Sequence, residues 1–195
     1  DGKVSFDLIF KEKSYPFSMN VPGEYNIFNA LAAISVCKTM GLSIEGISNS
    51  LEIFSGVKRR FDIKVQNNDL MIIDDYAHHP VEVSSVIKAI KSNWDRRLLV
   101  IFQPHLFSRT KQFYKEFAEA LQNADLVFIT EIFASREKLD TSITSEKIGK
   151  YLNELHHKNV FNITTESLMT DVKSKYMKGD IILTVGAGNI WRFAD

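Results

Sequence analysis

Three short apolar runs constrain the fold of this chain more than any other feature: Leu98 to Phe102, Leu126 to Ile129 and Ile181 to Val185. A strand with one face in water alternates apolar and polar residues. These runs do not alternate, so each is expected to be a strand buried on both faces. Between them lie stretches with helical spacing: Val83, Val86, Ile87 and Ile90; Phe113, Phe117, Ala120 and Leu121; Ile148, Tyr151, Leu152 and Leu155; Leu168, Met169, Val172 and Tyr176. Val160 to Ile163 supplies a further strand. Ahead of these, Phe61 to Val65 and Leu70 to Ile73 flank Gln66-Asn67-Asn68-Asp69, a hairpin signal. Strand and helix alternate, which predicts an α/β fold: a Rossmann-like, open, mostly parallel sheet with helices on both faces.

Before Gly56 the rhythm differs. Val4 to Phe10 and Tyr15 to Met19 read as a β-hairpin, and Val21-Pro22-Gly23 breaks it. Ile27, Ala30, Leu31, Ile34 and Met40 give one helical stripe; Ile44, Ile47, Leu51 and Phe54 give a second. This small unit is expected to lack a core of its own. The division expected is therefore 1–57 and 58–195.

Composition excludes several classes. Twenty-four basic and 24 acidic residues cancel, which argues against a nucleic-acid binder. A single cysteine, Cys37, excludes a disulfide scaffold and a multi-cysteine zinc site, and suggests a reducing compartment; Cys37 itself is expected in the core. No apolar run approaches the ~18 residues of a membrane span, so no membrane insertion is expected. The start, Asp1-Gly2-Lys3-Val4, carries no initiator Met and no signal-peptide pattern, and reads as a chain cut from something longer.

In an open α/β sheet, ligands bind past the carboxyl ends of the strands. The first such end reads Asp74-Asp75-Tyr76-Ala77-His78-His79-Pro80. Two carboxylates and two imidazoles there, before a helix N-terminus, suit ribose hydroxyls, an anion, a proton or a metal. The next end reads Gln103-Pro104-His105-Leu106-Phe107-Ser108-Arg109; the Arg109 fork suits a carboxylate or phosphate, and Ser108 is a candidate N-cap. Glu131 and Ser135-Arg136-Glu137 read as surface, and Gly186-Ala187-Gly188-Asn189 resembles a tight phosphate-type turn. Asn26 and Asn29, three apart on the first helix, can read an adenine edge, although N-capping explains Asn26 equally well. Lys58-Arg59-Arg60 reads as solvated surface, and His156 and His157 as partners of a helix dipole. No G-x-x-x-x-G-K-[ST] loop is present in these residues; Ile47 stands where its lysine would be.

The stretches VPGEYNIFNALAA, FSGVKRRFD, IIDDYAHHP, FQPHLFSRT and TVGAGNIW, in this order, resemble the Mur ligase family over essentially all 195 residues. The pairing of DDYAHHP with FQPH and SRT points to the branch that joins L-alanine to UDP-N-acetylmuramic acid. The resemblance implies that residues 1–57 end the central ATP-binding domain and that 58–195 form the C-terminal, amino-acid-binding domain. It implies an ATP-dependent ligase of peptidoglycan precursor synthesis in the bacterial cytoplasm. The sugar's carboxylate would become an acyl phosphate that the alanine amine attacks. ATP and Mg2+ would be held mainly by residues not in this chain, leaving it inactive alone, and the C-terminal domain would close by hinging near Gly56 to Arg60. Asn26 and Asn29 would contact adenine; Arg60 and Asp75 would reach the nucleotide; Tyr76, His78, His105 and Arg109 would surround the amino acid. No residue here is assigned a catalytic role, and no metal ligand is assigned. Three positions depart from the family pattern: Tyr25, where His is frequent; Leu106, where Arg is frequent; and Asn189, where Asp is frequent. The competing readings are a metal-dependent hydrolase using Asp74, Asp75, His78, His79 and His105, the related murein-peptide ligase, and a binding module without catalysis.

Overall fold

A computed structural model describes residues 2–195 and divides into two compact units, the first through Val57 and the second from Lys58 onward. In the first unit, β1 (Val4–Phe10) pairs antiparallel with β2 (Lys13–Met19). The turn between them is only Lys11-Glu12, both at positive φ (49° and 63°), the backbone of a two-residue hairpin whose twist matches its strands. Two helices follow, α1 (Tyr25–Thr39) and α2 (Ile44–Glu52); Ser43 caps α2 by accepting the Gly46 N–H at 3.1 Å.

This unit does have a core, contrary to expectation. Phe17, Met19, Ala30, Ile34 and Ile47 are buried together, and Val4, Phe6, Leu8 and Cys37 pack partly buried against them. Strand alternation is the reason: Val4, Phe6, Leu8, Tyr15, Phe17 and Met19 share one face of the hairpin and pack with Ala30 and Ile34 of α1 and Ile47 of α2, with Phe6 and Phe17 stacked at 5.4 Å. The core is small, and Phe28, Met40 and Ile53 remain exposed around it.

The second unit is a six-stranded sheet in the order β3-β4-β8-β5-β6-β7. Its strands are β3 (Asp62–Gln66), β4 (Leu70–Asp75), β5 (Leu98–Phe102), β6 (Leu126–Ile129), β7 (Val160–Asn162) and β8 (Asp180–Val185). Only β3 is antiparallel, so the sheet is mostly parallel, as the apolar runs require. The helices are α3 (Pro80–Asn93), α4 (Phe107–Leu121), α5 (Glu146–Glu154) and α6 (Leu168–Lys175), with a 3-10 turn at Ile190–Phe193.

Strand order dictates which face each helix covers. The crossovers β4→β5, β5→β6 and β6→β7 all step the same way across the sheet, and right-handed connections then put α3, α4 and α5 on one face. The crossover β7→β8 steps back, so α6 falls on the other. Side chains of β5 divide accordingly. Leu99 and Ile101 are buried with Leu168 and Val172 of α6 and Ile190 of the 3-10 turn, while Phe102 lies 5.0 Å from Phe117 of α4.

The last strand enters between β4 and β5, and its exit is welded to β5. Gln103 is 3% exposed; its Nε2 donates to Asn189 Oδ1 (2.9 Å) and its Oε1 accepts the Ile190 N–H (3.2 Å). The Gly186–Asn189 turn therefore wraps a side chain of its own fold. A Cβ on Gly186 (φ +148°) would sit 2.6 Å from the Gln103 backbone oxygen, and one on Gly188 would sit 2.2 Å from Gln103 Oε1. Backbone cannot move aside as a flexible side chain can. Gly186→Ala is expected to cost about 2–4 kcal/mol of stability, measured by urea unfolding of the whole chain; a loss below about 0.5 kcal/mol would contradict this packing.

Candidate functional site

The carboxyl ends of β4 and β5 lie on either side of β8, and the loops after them hold most of the expected residues. Asp74 and Asp75, however, are inside the fold. Asp74 is 0% exposed and accepts from Thr184 Oγ1 (2.7 Å) and Arg59 Nε (3.2 Å). Asp75 is 2% exposed, with one oxygen accepting the Phe61 N–H (2.7 Å) and the other the Ala77 N–H (2.8 Å). Burial raises both carboxyls. For Asp75 burial outweighs the two backbone N–H groups and the nearby Arg60 charge, and its pKa is pushed up to about 6.

Arg59, read from sequence as solvated surface, is the hub of this strand end. Its guanidinium pairs with Asp74, donates to the Gly186 carbonyl at 2.7 Å, and stacks over Tyr76 (4.8 Å) and Trp191 (5.9 Å). Its backbone N–H donates to Asp62, and its carbonyl accepts the Tyr76 N–H. Arg59 and Phe61 both adopt positive φ (61° and 50°), a strained turn held by these bonds and by Asp75. Arg60 next to it is exposed, 5.7 Å over the Tyr76 ring.

Half-buried side chains line up above this base. Tyr76 meets His78 edge-on at 5.3 Å, His78 meets His105 at 6.1 Å, and His105 stacks on Phe133 at 5.9 Å. Arg109 Nη1 lies 3.2 Å from His105 Nδ1. Arginine only donates, so His105 Nδ1 accepts and its proton sits on Nε2. Burial first, then the Arg109 charge, lowers the His105 pKa and keeps the ring neutral. His78 has the opposite arrangement: its Nδ1 faces the Tyr76 carbonyl at 3.0 Å, which requires a proton there. Two adjacent imidazoles thus present opposite tautomers beside a guanidinium that keeps further N–H donors free for an anion.

The remaining expected residues go elsewhere. His79 packs against Phe113 (5.0 Å) and precedes α3, whose first turn is tied down by Glu82 accepting the His78 and His79 N–H groups. Ser108 lies inside α4 and donates, through its N–H and hydroxyl, to Glu137, so Glu137 anchors that helix end. Glu131 accepts from the Thr165 N–H and hydroxyl. His157 reaches the Ala124 carbonyl at 2.8 Å, a tie between loops and not a dipole partner alone. Leu106 is buried at φ +72°, its N–H donating to the Phe133 carbonyl and its carbonyl accepting from Thr110. The charge of exposed Arg136 reaches His105 from the following loop. Asn26 and Asn29 lie on α1 in the first unit; Asn26 Nδ2 donates to the Pro22 carbonyl (2.7 Å) and Asn29 Nδ2 to Asn26 Oδ1 (3.0 Å), so Asn26 is not an N-cap. Among the described residues no three His, Cys, Asp or Glu side chains converge to hold a metal, so Asp74, Asp75, His78, His79 and His105 do not form the donor set a metallohydrolase needs.

A family model described as "Mur ligase, glutamate ligase domain" matches residues 59–188, the span that builds this site. The chain belongs to the Mur ligase family. Its curated relatives include the UDP-N-acetylmuramate--L-alanine ligases of Geotalea uraniireducens (38% identical over 179 residues, 91% of this chain, 39% of the relative) and Clostridium tetani (39% over 199 residues, 100% of this chain, 43% of the relative). The chain thus spans about two-fifths of the length of the curated relatives it matches. Among solved structures, the UDP-N-acetylmuramate-alanine ligase MurC of Thermotoga maritima superposes with TM-score 0.78 at 30% identity, over 94% of this chain and 39% of that one. A pseudomurein peptide ligase type C from Methanothermus fervidus shares the fold, with TM-score 0.71 at 23% identity over 95% of this chain and 38% of that one. The second unit has the fold of the Mur ligase C-terminal domain.

The Asp75 environment has a measurable consequence. Because its folded pKa is raised from 3.8 to about 6, the stabilisation tied to its proton is complete below pH 4 and is lost as pH rises through about 6. At ~1.4 kcal/mol for each tenfold change in proton affinity, the loss is roughly 3 kcal/mol. Urea unfolding from pH 4 to 7 is expected to show this decline in the wild type and not in Asp75→Asn; identical slopes would refute it.

Proposed function

We propose that this chain is part of an ATP-dependent ligase joining L-alanine to UDP-N-acetylmuramic acid in bacterial, cytoplasmic peptidoglycan precursor synthesis. The observation carrying the reading is the convergence of Tyr76, His78, His105 and Arg109 at the strand ends, on a chain 38% identical to an alanine ligase along 91% of its length. Arg109 takes the amino-acid carboxylate. It is positioned by neutral His105, which accepts one of its N–H bonds and leaves the others free. Arg136 adds a second positive field on the same side, a role Leu106 cannot fill from the core. In the neutral tautomer set by the Tyr76 carbonyl, His78 presents a lone pair on Nε2 and is suited to take a proton from the alanine ammonium, which must be shed before the amine can attack.

Asn26 and Asn29 are assigned to adenine, and Arg60 to the nucleotide; Asp75, buried beneath Arg60, fits the ribose only if a hydroxyl joins the bonds it already accepts. ATP would supply the phosphoryl group that activates the sugar's carboxylate as an acyl phosphate. The sequence carries no phosphate loop, and among the described residues no cluster of His, Cys, Asp or Glu could hold a metal, so these residues do not fit Mg2+. This chain's contribution is to hold and orient the incoming amino acid.

In the full-length ligase, Arg109→Ala is expected to raise the KM for L-alanine by tenfold or more, about 1.4 kcal/mol or above, with the KM for ATP unchanged. A change confined to ATP would reassign Arg109 to the nucleotide. The 195-residue chain alone is expected to form no ADP in response to L-alanine.

A further inference from the structure

A cavity of about 1110 Å3 in the second unit runs along β7, the edge strand of the sheet. In the ladder to β6, Val127 N–H donates to the Asn159 carbonyl and Ile163 N–H to the Ile129 carbonyl, so residues 159, 161 and 163 face inward. A parallel strand bonds to one neighbour through alternate residues. The N–H and C=O groups of Val160 and Asn162 therefore face outward, where among the described residues no strand lies.

Such edges are ordinarily protected by charge, proline, a bulge or a very short strand, and at β7 the shortness of the strand, three residues, is the one of these that applies. Asn159-Val160-Phe161-Asn162-Ile163-Thr164-Thr165 contains no charge and no proline. Phe161 and Ile163 are only partly buried against the α6 side, and Asp171 and Ser174 of α6 form a wall of the groove. An outward row of alternating donors and acceptors at strand pitch, beside a helix wall, matches a polypeptide backbone. The lining carries Glu131, Asp140, Glu146 and Asp171 against Lys175; Asp140 pairs with Lys111 (3.5 Å), and among the described residues neither Glu146 nor Asp171 is in an ion pair. A second copy pairing through its own β7 would bring these acidic walls together, which disfavours it.

We propose that the β7 edge docks an extended, basic peptide segment of another protein, added as a seventh strand. This surface is independent of the ligase reading.

The test uses the whole chain and fluorescein-labelled heptapeptides alternating valine with lysine and threonine, read by anisotropy. The basic peptide is expected to saturate at micromolar concentration and to weaken with salt. Its glutamate-for-lysine counterpart, and a version N-methylated at alternate amides, are each expected to bind at least tenfold more weakly. Asn162→Pro removes an outward donor without touching an inward bond, and is expected to lower affinity tenfold while the melting transition stays cooperative. Asp171→Lys, which leaves the backbone intact, is expected to weaken the basic peptide severalfold. The proposal is overturned by no binding up to about 1 mM, by equal binding of the methylated or acidic peptide, or by a dimer in sedimentation that Asp171→Lys strengthens while no peptide binds.

Discussion

The sheet is completed from its middle, by the last strand of the chain. β8 lies between β4 and β5, and those two strand ends carry Tyr76, His78, His105 and Arg109. The base of the site is held through this insertion. Thr184 of β8 holds Asp74, the Gly186 carbonyl holds Arg59, and the Gly186–Asn189 turn holds Gln103 at the end of β5. Each of these bonds joins residues more than eighty positions apart in the chain. The site is therefore assembled late in sequence and depends on non-local pairing, which makes its geometry a property of the complete unit.

Electrostatics at the site separate into two layers. Below, buried carboxylates spend their hydrogen-bonding capacity on the backbone of a strained turn at Arg59 and Phe61 and on Arg59 itself. Above, half-exposed rings and a guanidinium face solvent. Arg59 belongs to the lower layer and Arg60 to the upper, although they are neighbours in sequence, because the positive φ of Arg59 turns successive side chains apart. His105 links the layers' logic: stacked on Phe133 and bonded to Arg109, it remains neutral and spends its lone pair on orienting a cation.

The zipping of two loops supports that upper layer. His105 and Phe133 form an isolated parallel bridge, with Phe133 N–H on the Pro104 carbonyl and Leu106 N–H on the Phe133 carbonyl. This holds Leu106 at its unfavourable φ and sends its side chain inward, so α4 starts with Arg109 on the site side of the loop. Glu137 fastens the same helix start through Ser108. A residue that looked like surface charge is thus a helix anchor, and no local pattern around Glu137 announces its partner twenty-nine positions away.

Apolar periodicity alone determined that Leu98 to Phe102, Leu126 to Ile129 and Ile181 to Val185 are buried strands separated by helices, because burial on both faces leaves an unbroken apolar run. The same reading located the strand ends where Tyr76, His78, His105 and Arg109 meet. It could not tell which polar residues at those ends face a ligand and which are consumed by the fold. His79 and the Gly186–Asn189 turn carried plausible binding chemistry and Glu137 read as surface, and the structure gives each of them a partner within the fold. Those partners, Phe113, Gln103 and Ser108, come from other elements of the sheet and its helices, so only tertiary packing could decide the matter.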